Sequence, residues 1–246
     1  MSPGCFPHRI LTVLAALALA TSLACGGDLD SRLAEIRALQ DAGKFEESIE
    51  PLRGLVTTHS SNAEVNFRLG LALVQTGRRS LAIWPLNKAA DSEEYALPAG
   101  VLLATTLLST EDYAEAVRAA DRVLAIDPDN KPALYSRAHG NLASAKPEEA
   151  LADAEHLLEL DATDARAISL KGGALIDLDR LDEAEQLQQT LRDVARDADH
   201  AQLAARSCAA LVYFYSKTDR DDDALATQLD CLERFPDNAE VRRNAS

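Results

Sequence analysis

The stretch "LAIDPDNKPAL", residues 124–134, and the stretch "LERFPDNAEV", residues 232–241, share one layout. In each, an apolar segment ends at a Pro-Asp-Asn turn and a further segment follows. A loop of proline or of Asp-Asn ends the preceding helix. The shared layout therefore indicates a chain of repeated helical segments joined by short turns.

Aligning the chain on these two turns gives a unit of 34 residues. Residues 199–204 separate the fifth unit from the sixth, and residues 239–246 form a C-terminal tail. Within a unit, apolar residues recur at the spacing of a helical stripe. Position 20 is alanine in five units and Ser48 in the first, which lets two antiparallel helices approach closely. The units are 29–62, 63–96, 97–130, 131–164, 165–198 and 205–238.

The second unit carries the pattern most clearly, with Leu69 and Gly70 at positions 7 and 8, Gly77 at position 15 and Ala82 at position 20. This pattern resembles the tetratricopeptide repeat. The resemblance covers residues 29–238 and implies an all-α solenoid of about six helical hairpins, each stacked on its neighbours.

Three residues depart from the pattern. Pro51 and Pro85 fall inside the second helix of their units, where proline is expected to kink or delay a helix. Arg137 occupies position 7 of the fourth unit, so a weaker core contact is expected there.

The composition excludes several classes of protein. Aromatic residues make up only 4% of a chain that is 47% hydrophobic, which favours helices packed on helices. The formal net charge of -15 has the wrong sign for a nucleic-acid-binding protein, which needs Lys and Arg on phosphates. We expect no nucleic-acid partner.

The N-terminus reads as an export signal. A slightly basic start is followed by "ILTVLAALALA", an apolar run shorter than the roughly 20 residues of a membrane span. Residues 1–24 followed by Cys25 resemble a bacterial lipoprotein signal. The resemblance implies that Cys25 carries lipid, that residues 25–28 are a short tether, and that the chain lies in the cell envelope. The alternative is an ordinary secretory signal cleaved near Ala24.

Residue 26 is glycine, whereas aspartate at this position resembles an inner-membrane retention signal. The chain is therefore expected at the periplasmic face of the outer membrane if its source is Gram-negative.

The family resemblance also places a candidate binding surface. In this family the first helices of the units line an inner groove that binds peptides. The expected partner is a protein or peptide segment of the envelope, bound through apolar side chains in the middle and basic ones toward the C-terminus. The expected groove residues are Phe67, Leu71, Val101, Thr105, Tyr135, His139, Arg166, Arg206, Tyr213 and Lys217.

Residues that could carry chemistry are sparse. The histidines are scattered without the spacing of metal ligands, so we expect no metal, no cofactor and no catalytic residue. Cys208 and Cys231 occupy positions 4 and 27 of the last unit, which face each other across an antiparallel hairpin. In an oxidising envelope they can form a disulfide, and otherwise they are two small buried thiols.

These observations predict a non-enzymatic, lipid-anchored scaffold that binds segments of other envelope proteins and helps to assemble an envelope complex. The layout resembles that of type IV pilus secretin pilotins and of a lipoprotein of the outer-membrane protein assembly machine, which stay open as alternatives. A structural lipoprotein that binds a second copy of itself is another. An enzyme is the remaining class, although the sequence offers no candidate residue for it.

Overall fold

The computed structural model describes residues 28–162, 164–194, 201–238 and 241–242. The predicted signal peptide, residues 1–24, and the predicted lipid site Cys25 lie outside the described residues.

The described residues form α-helices joined by short turns, and no strand is found among them. The helices follow one another in pairs, in the order of the predicted units. They are α1 (28–41), α2 (Phe45–Thr58), α3 (Ala63–Gln75), α4 (Arg79–Ala90), α5 (Ala96–Ser109), α6 (Tyr113–Leu124), α7 (Lys131–Ala143), α8 (Pro147–Leu160), α9 (Ala165–Asp177), α10 (Leu181–Val194), α11 (Ala201–Lys217) and α12 (Asp221–Arg234).

The chain divides into two compact units, unit 1 (Met1–Tyr95) and unit 2 (Ala96–Ser246). In unit 1, α3 packs on both α2 and α4. In unit 2 every helix packs on the next, and the first helices of successive hairpins also pack side by side, α5 on α7, α7 on α9 and α9 on α11. This stacking is that of a helical solenoid, and it confirms the predicted fold class.

Small residues let the two helices of a hairpin approach closely, as predicted. Ser48 at position 20 is fully buried, as are alanines at the same position in later hairpins, such as Ala82 and Ala116. At Gly70 a Cβ atom would lie 2.5 Å from the side chain of Leu86 in the partner helix. No larger residue fits there without displacing the partner helix.

One left-handed residue makes the turn inside each hairpin. The residue at position 15 has a positive φ in all six predicted units, from +55° at Ala145 to +79° at Gly77. The others are Gly43, Glu111, Asp179 and Asp219. The turn geometry is therefore shared even where glycine, the residue that adopts it at least cost, is absent.

Side chains cap several of the first helices. Asn62 accepts a hydrogen bond from the backbone N–H of Val65 at 2.9 Å, and Asn130 accepts one from Ala133 at 3.2 Å. These residues satisfy N–H groups that the helix leaves without an internal partner. The Pro-Asp-Asn turn therefore both ends one helix and caps the next.

The two prolines inside second helices do not delay them. Pro51 lies within α2 and Pro85 within α4, and both helices begin before the proline and continue past it. The expectation of a delayed helix was wrong. Each proline leaves one carbonyl without its helical N–H, and the rest of the helix remains paired.

Arg137 forms ion pairs with two carboxylates in place of an apolar core contact. Its guanidinium Nη2 lies 2.6 Å from Asp153 Oδ1, and Nη1 lies 2.9 Å from Asp121 Oδ1. The hydrogen bonds that Arg137 donates to Asp153 and Asp121 raise the pKa of Arg137. The expected weak contact of the fourth hairpin is therefore replaced by an ion-pair network that joins α6, α7 and α8.

The last hairpin is closed by a disulfide between Cys208 and Cys231, whose Cα atoms lie 5.8 Å apart. Val241 covers it: the side chain is 2% exposed and packs with the two cysteines, and its carbonyl accepts a hydrogen bond from Gln228 Nε2 at 3.0 Å. Part of the C-terminal tail thus folds back onto the last hairpin.

Candidate functional site

The expected groove residues divide between the two units. Phe67 and Leu71 lie in unit 1, on α3, and the remaining eight lie in unit 2. Arg206 falls at a helical position in α11, but its side chain lies outside the described residues.

In unit 1 the predicted aromatic residue is engaged within the fold. The Phe67 ring is half-buried and lies 5.3 Å from the ring of Tyr95, centroid to centroid. Burial raises the pKa of Tyr95. Leu71, one turn further along α3, is also half-buried. Both predicted residues therefore offer only part of their surface to a partner.

Ionic contacts that the sequence analysis missed surround these rings. The Glu64 carboxylate accepts two hydrogen bonds of 2.6 Å. One comes from Nη2 of Arg37 in α1, and the other from Nε of Arg68 in the same helix as Glu64. The hydrogen bond from Arg37 holds the pKa of Glu64 below its usual value. The spacing of Glu64 and Arg68, i and i+4, was readable from the sequence. The contribution of Arg37 was not, because it comes from another hairpin.

In unit 2 the first helices bring equivalent residues into a row. Because α5, α7, α9 and α11 lie side by side, the residues at position 9 of each are neighbours across the surface. Three of the four, Thr105, His139 and Tyr213, are exposed, and Gly173 lies between the last two. We call the residues Val101, Thr105, His139, Arg166, Tyr213 and Lys217 the first-helix face of unit 2.

At the α5 end this face is only weakly polar. Val101 is half-buried, and the exposed Thr105 donates its hydroxyl to the carbonyls of Val101 and Leu102 at 3.0 Å. The hydroxyl is thus satisfied by its own helix, and the methyl groups of both residues are left to meet a partner.

Tyr135 is placed differently from the expectation. Its ring is only 8% exposed, its hydroxyl donates to the carboxylate of Asp164, and Arg166 stands over the ring at 4.0 Å from the centroid. Burial and the hydrogen bond to Asp164 raise the pKa of Tyr135. The expectation that the ring itself faces the groove is corrected: Arg166 covers it, and the guanidinium is the exposed group.

A second cation lies over a ring at the α11 end. Lys217 Nζ is 5.5 Å from the ring centroid of Tyr213, which is 54% exposed. Neither Lys217 nor Arg166 forms an ion pair within the described part of the chain. Aromatic rings hold both cations in place without neutralising them, unlike Arg37 and Arg68 in unit 1.

Among the described residues, no three His, Cys, Asp or Glu side chains come together as metal ligands. The acidic run at 218–223 lies at the turn between α11 and α12, where Arg220 pairs with Asp223 at 2.7 Å and with Glu185 at 2.6 Å. No helix in the described part of the chain is long and apolar enough to span a membrane.

Comparison with known proteins agrees with this geometry. Sequence models of the tetratricopeptide repeat match residues 33–96 and 101–130. Protein STIP1 homolog of Dictyostelium discoideum is 31% identical over 112 residues, which are 42% of this chain and 20% of that protein. The match thus spans about one fifth of the length of this curated relative.

Solved structures share the fold at low identity. A tetratricopeptide repeat protein from Parabacteroides merdae ATCC 43184 aligns with a TM-score of 0.71 and 16% identity, over 86% of this chain and 82% of that one. YrrB, described as a TPR protein with an unusual peptide-binding site, aligns with a TM-score of 0.57 and 18% identity, over 78% of this chain and 96% of that one. With its paired helices, its repeated turn and the two sequence matches, the chain belongs to the tetratricopeptide-repeat family.

Proposed function

We propose that this protein-binding scaffold is held on a membrane by lipid at Cys25 and binds peptide segments of other cell-envelope proteins through the first-helix face of unit 2. It acts without catalysis, in the assembly of an envelope complex. In a Gram-negative source it works at the periplasmic face of the outer membrane.

The observation that carries the binding proposal is a pair of cations on the first-helix face that form no ion pair with any described carboxylate. Arg166 and Lys217 are exposed and lie against aromatic rings in a chain whose net charge is -15. A bound segment with carboxylates can pair with these cations, and its apolar side chains can meet Val101 and Tyr213. A peptide-binding site is also what the description of YrrB reports for that relative of the same fold.

The anchoring proposal rests on the sequence before α1. An apolar run, small residues and Cys25 stand in the order of a lipoprotein signal. Only two residues separate Cys25 from residue 28, the first described residue of α1. At about 3.5 Å per residue, lipid at Cys25 would keep the start of α1 within roughly 15 Å of the bilayer surface. Several buried acyl chains would make the attachment effectively permanent.

Photo-crosslinking in the native host tests the binding face. A crosslinking amino acid at exposed His139 is compared with one at Glu148, an exposed residue at the start of the second helix α8. We expect one envelope protein to be captured from position 139 only. Equal capture from both positions would mean that another surface binds. The identity of the captured protein would decide between pilotin-like and outer-membrane assembly roles.

Metabolic labelling with a fatty acid tests the anchor separately. We expect label on the chain that is lost in Cys25→Ser, together with release of the protein from the membrane fraction. Full labelling of Cys25→Ser, or none on the unaltered chain, would leave an ordinary secretory signal as the explanation.

A further inference from the structure

The outer surface of α12 carries two leucines that water reaches freely. Leu225 is 60% exposed and Leu229 is 59% exposed, and they lie one helical turn apart. We call this pair the α12 face. Neighbouring exposed leucines on one face of a helix mark a candidate interaction surface.

Equivalent residues within unit 2 are the ones that meet the next hairpin. Leu225 occupies position 21 of its 34-residue repeat. Val117 occupies the same position in the repeat 97–130, and Leu151 in the repeat 131–164. Val117 packs so closely on α7 that a Cβ added at Gly140 would lie 2.8 Å from its Cγ2. Leu151 is 8% exposed, in a cluster that includes Leu175 of α9. Position 21 therefore faces the following first helix.

Position 25 also faces the following first helix, but it carries a carboxylate in two of the repeats. Asp121 at this position pairs with Arg137 of α7 at 2.9 Å, and Glu155 pairs with Lys171 of α9 at 2.9 Å. Both cations are at position 7 of the next first helix. In the last hairpin the carboxylate is replaced by Leu229. The α12 face thus resembles the surfaces of α6 and α8 that receive the next first helix, with leucine where those two use a carboxylate.

The described part of the C-terminal tail, residues 241–242, packs on another part of the hairpin. Val241 packs beside Cys208 and Cys231, and its carbonyl binds Gln228. Successive residues of a helix are rotated by about 100°, which places Cys231 about 160° around the helix axis from Leu229. Leu225 and Leu229 remain 60% and 59% exposed beside the folded-back residue. The folded-back residue therefore covers the disulfide and not the two leucines.

Acidic residues flank the leucines. Asp221 and Asp222 lie four and three residues before Leu225, and Glu233 lies four residues after Leu229, which places all three beside the α12 face. All three are exposed, and none forms an ion pair within the described residues. A helix that covers the leucines would bring its own flanks against these carboxylates.

We propose that the α12 face docks an amphipathic helix of another protein, with an apolar stripe that covers Leu225 and Leu229 and with lysine or arginine on its flanks. The helix adds to the end of unit 2 as the first helix of a further repeat would. A second copy of this chain that docks through its own α12 face is a poor occupant, because Asp221, Asp222 and Glu233 of the two copies would repel each other. This site is separate from the first-helix face and does not depend on it.

A designed peptide tests the proposal on the full-length chain. The probe is a labelled helix of about 18 residues, long enough to hold its fold on a surface, with leucines at i, i+3, i+4 and i+7 and lysines on both flanks. Its control has the same leucines with glutamates in place of the lysines. We expect fluorescence anisotropy to show binding of the lysine helix, and binding of the glutamate helix that is weaker by about tenfold or more.

Variants of the chain locate the site. Leu225→Gln combined with Leu229→Asn is expected to weaken binding of the lysine helix by about tenfold or more. Leu81→Gln in α4 removes a leucine of matched exposure, 57%, and is expected to change nothing. Circular dichroism is expected to show the same folded helix content for all three chains, because the substituted side chains are exposed.

Three results would overturn the proposal. One is equal binding of the two helices or no binding of either. Another is binding that the α12 substitutions leave unchanged or that Leu81→Gln weakens equally. The third is a concentration-dependent dimer of the chain alone that the α12 substitutions abolish, because it would make a second copy the occupant.

Discussion

Arg137 in α7 and Asp153 in α8 form a bidentate ion pair, with Nη2 2.6 Å from Oδ1 and Nε 3.0 Å from Oδ2. The Asp153 side chain is only 5% exposed, so its carboxylate depends on Arg137 for the interactions that it has lost with water. At the same two positions of the preceding hairpin stand Leu103 and Ala119, both buried. The molecule therefore fills equivalent sites with an ion pair in one hairpin and with apolar side chains in another.

This equivalence predicts the outcome of a double-mutant cycle. Arg137→Leu alone leaves a buried carboxylate without a cation and is expected to lower the free energy of unfolding by about 3 kcal/mol. Arg137→Leu combined with Asp153→Ala copies the Leu103–Ala119 pair and is expected to recover most of that loss. Urea unfolding measures both. A double variant no more stable than Arg137→Leu would show that the apolar pair cannot substitute for the ionic one.

The shared left-handed turn predicts a stabilising substitution. Ala145 has φ +55°, a conformation that costs alanine about 1 kcal/mol more than it costs glycine. Ala145→Gly is therefore expected to raise the free energy of unfolding by about 1 kcal/mol, as measured by thermal or urea unfolding.

Two substitutions control for this effect. Gly77→Ala, at the equivalent turn of unit 1 with φ +79°, is expected to destabilise by a similar amount. Ala143→Gly, at the end of α7 and not in a left-handed conformation, is expected to destabilise slightly. A loss of stability in Ala145→Gly would contradict the argument from φ.

The fold could be predicted from the sequence because its determinants are local and periodic. Position 20 is small in every unit, and the alanines read from the sequence are the residues buried between paired helices. The left-handed turn was less visible, because only Gly43 and Gly77 carry glycine at position 15. Repetition, not residue type, enforces the turn at the other four positions.

The candidate site was harder to predict because its geometry depends on pairs of residues from different helices. Position in the repeat assigned Arg166 and Tyr135 to the same predicted groove. It could not show that the guanidinium would cover the ring, because that follows from the hydrogen bond between Tyr135 and Asp164 across two hairpins. Likewise Arg137 reads as a core defect until Asp153 is seen beside it.

The ionic contacts of Glu64 predict how unit 1 responds to acid. The pKa of Glu64 is lower in the folded chain than the value of about 4.3 expected when unfolded, so the folded state releases this proton more readily. The stabilisation is therefore present above about pH 4.3 and is lost as the pH falls through the folded pKa. Glu64→Gln is expected to be less stable than the unaltered chain at pH 7 and to lose less stability between pH 7 and acidic pH.

Urea unfolding across this pH range checks the prediction. Glu35→Gln, which removes an exposed carboxylate from α1, is the matched control and is expected to keep the acid sensitivity of the unaltered chain. An unchanged pH dependence in Glu64→Gln would show that the contacts with Arg37 and Arg68 do not contribute.

The disulfide predicts a local dependence on redox conditions. It closes a loop with a sequence separation of 23 residues, and a loop of this size is expected to contribute about 3 kcal/mol to the stability of the last hairpin. Reduction is expected to increase hydrogen exchange in α11 and α12 and to leave α5 to α8 unchanged, because a hairpin in a solenoid contacts only its neighbours. Cys208→Ala combined with Cys231→Ala is expected to show the same increase and no response to reductant. Increased exchange throughout unit 2 would mean that the last hairpin supports the whole stack.

The proposed peptide-binding face predicts the effect of charge reversal. Arg166→Glu combined with Lys217→Glu replaces both of these cations and is expected to reduce crosslinking of the partner from position 139 by about tenfold. Both side chains are exposed, so the melting temperature is expected to change little. Raising the salt concentration is expected to weaken binding to the unaltered chain and to have less effect on the variant, because salt screens exposed charges.

Lys146→Glu combined with Arg242→Glu is the matched control for this change. It alters the net charge of the chain by the same amount at two exposed positions outside the first-helix face. If the control reduced crosslinking as much as the charge reversal at Arg166 and Lys217, the partner would be responding to the overall charge of the chain. Undiminished crosslinking in the Arg166 and Lys217 variant would exclude the two cations as the recognition element. A loss confined to that variant would assign peptide recognition to the cations held over Tyr135 and Tyr213.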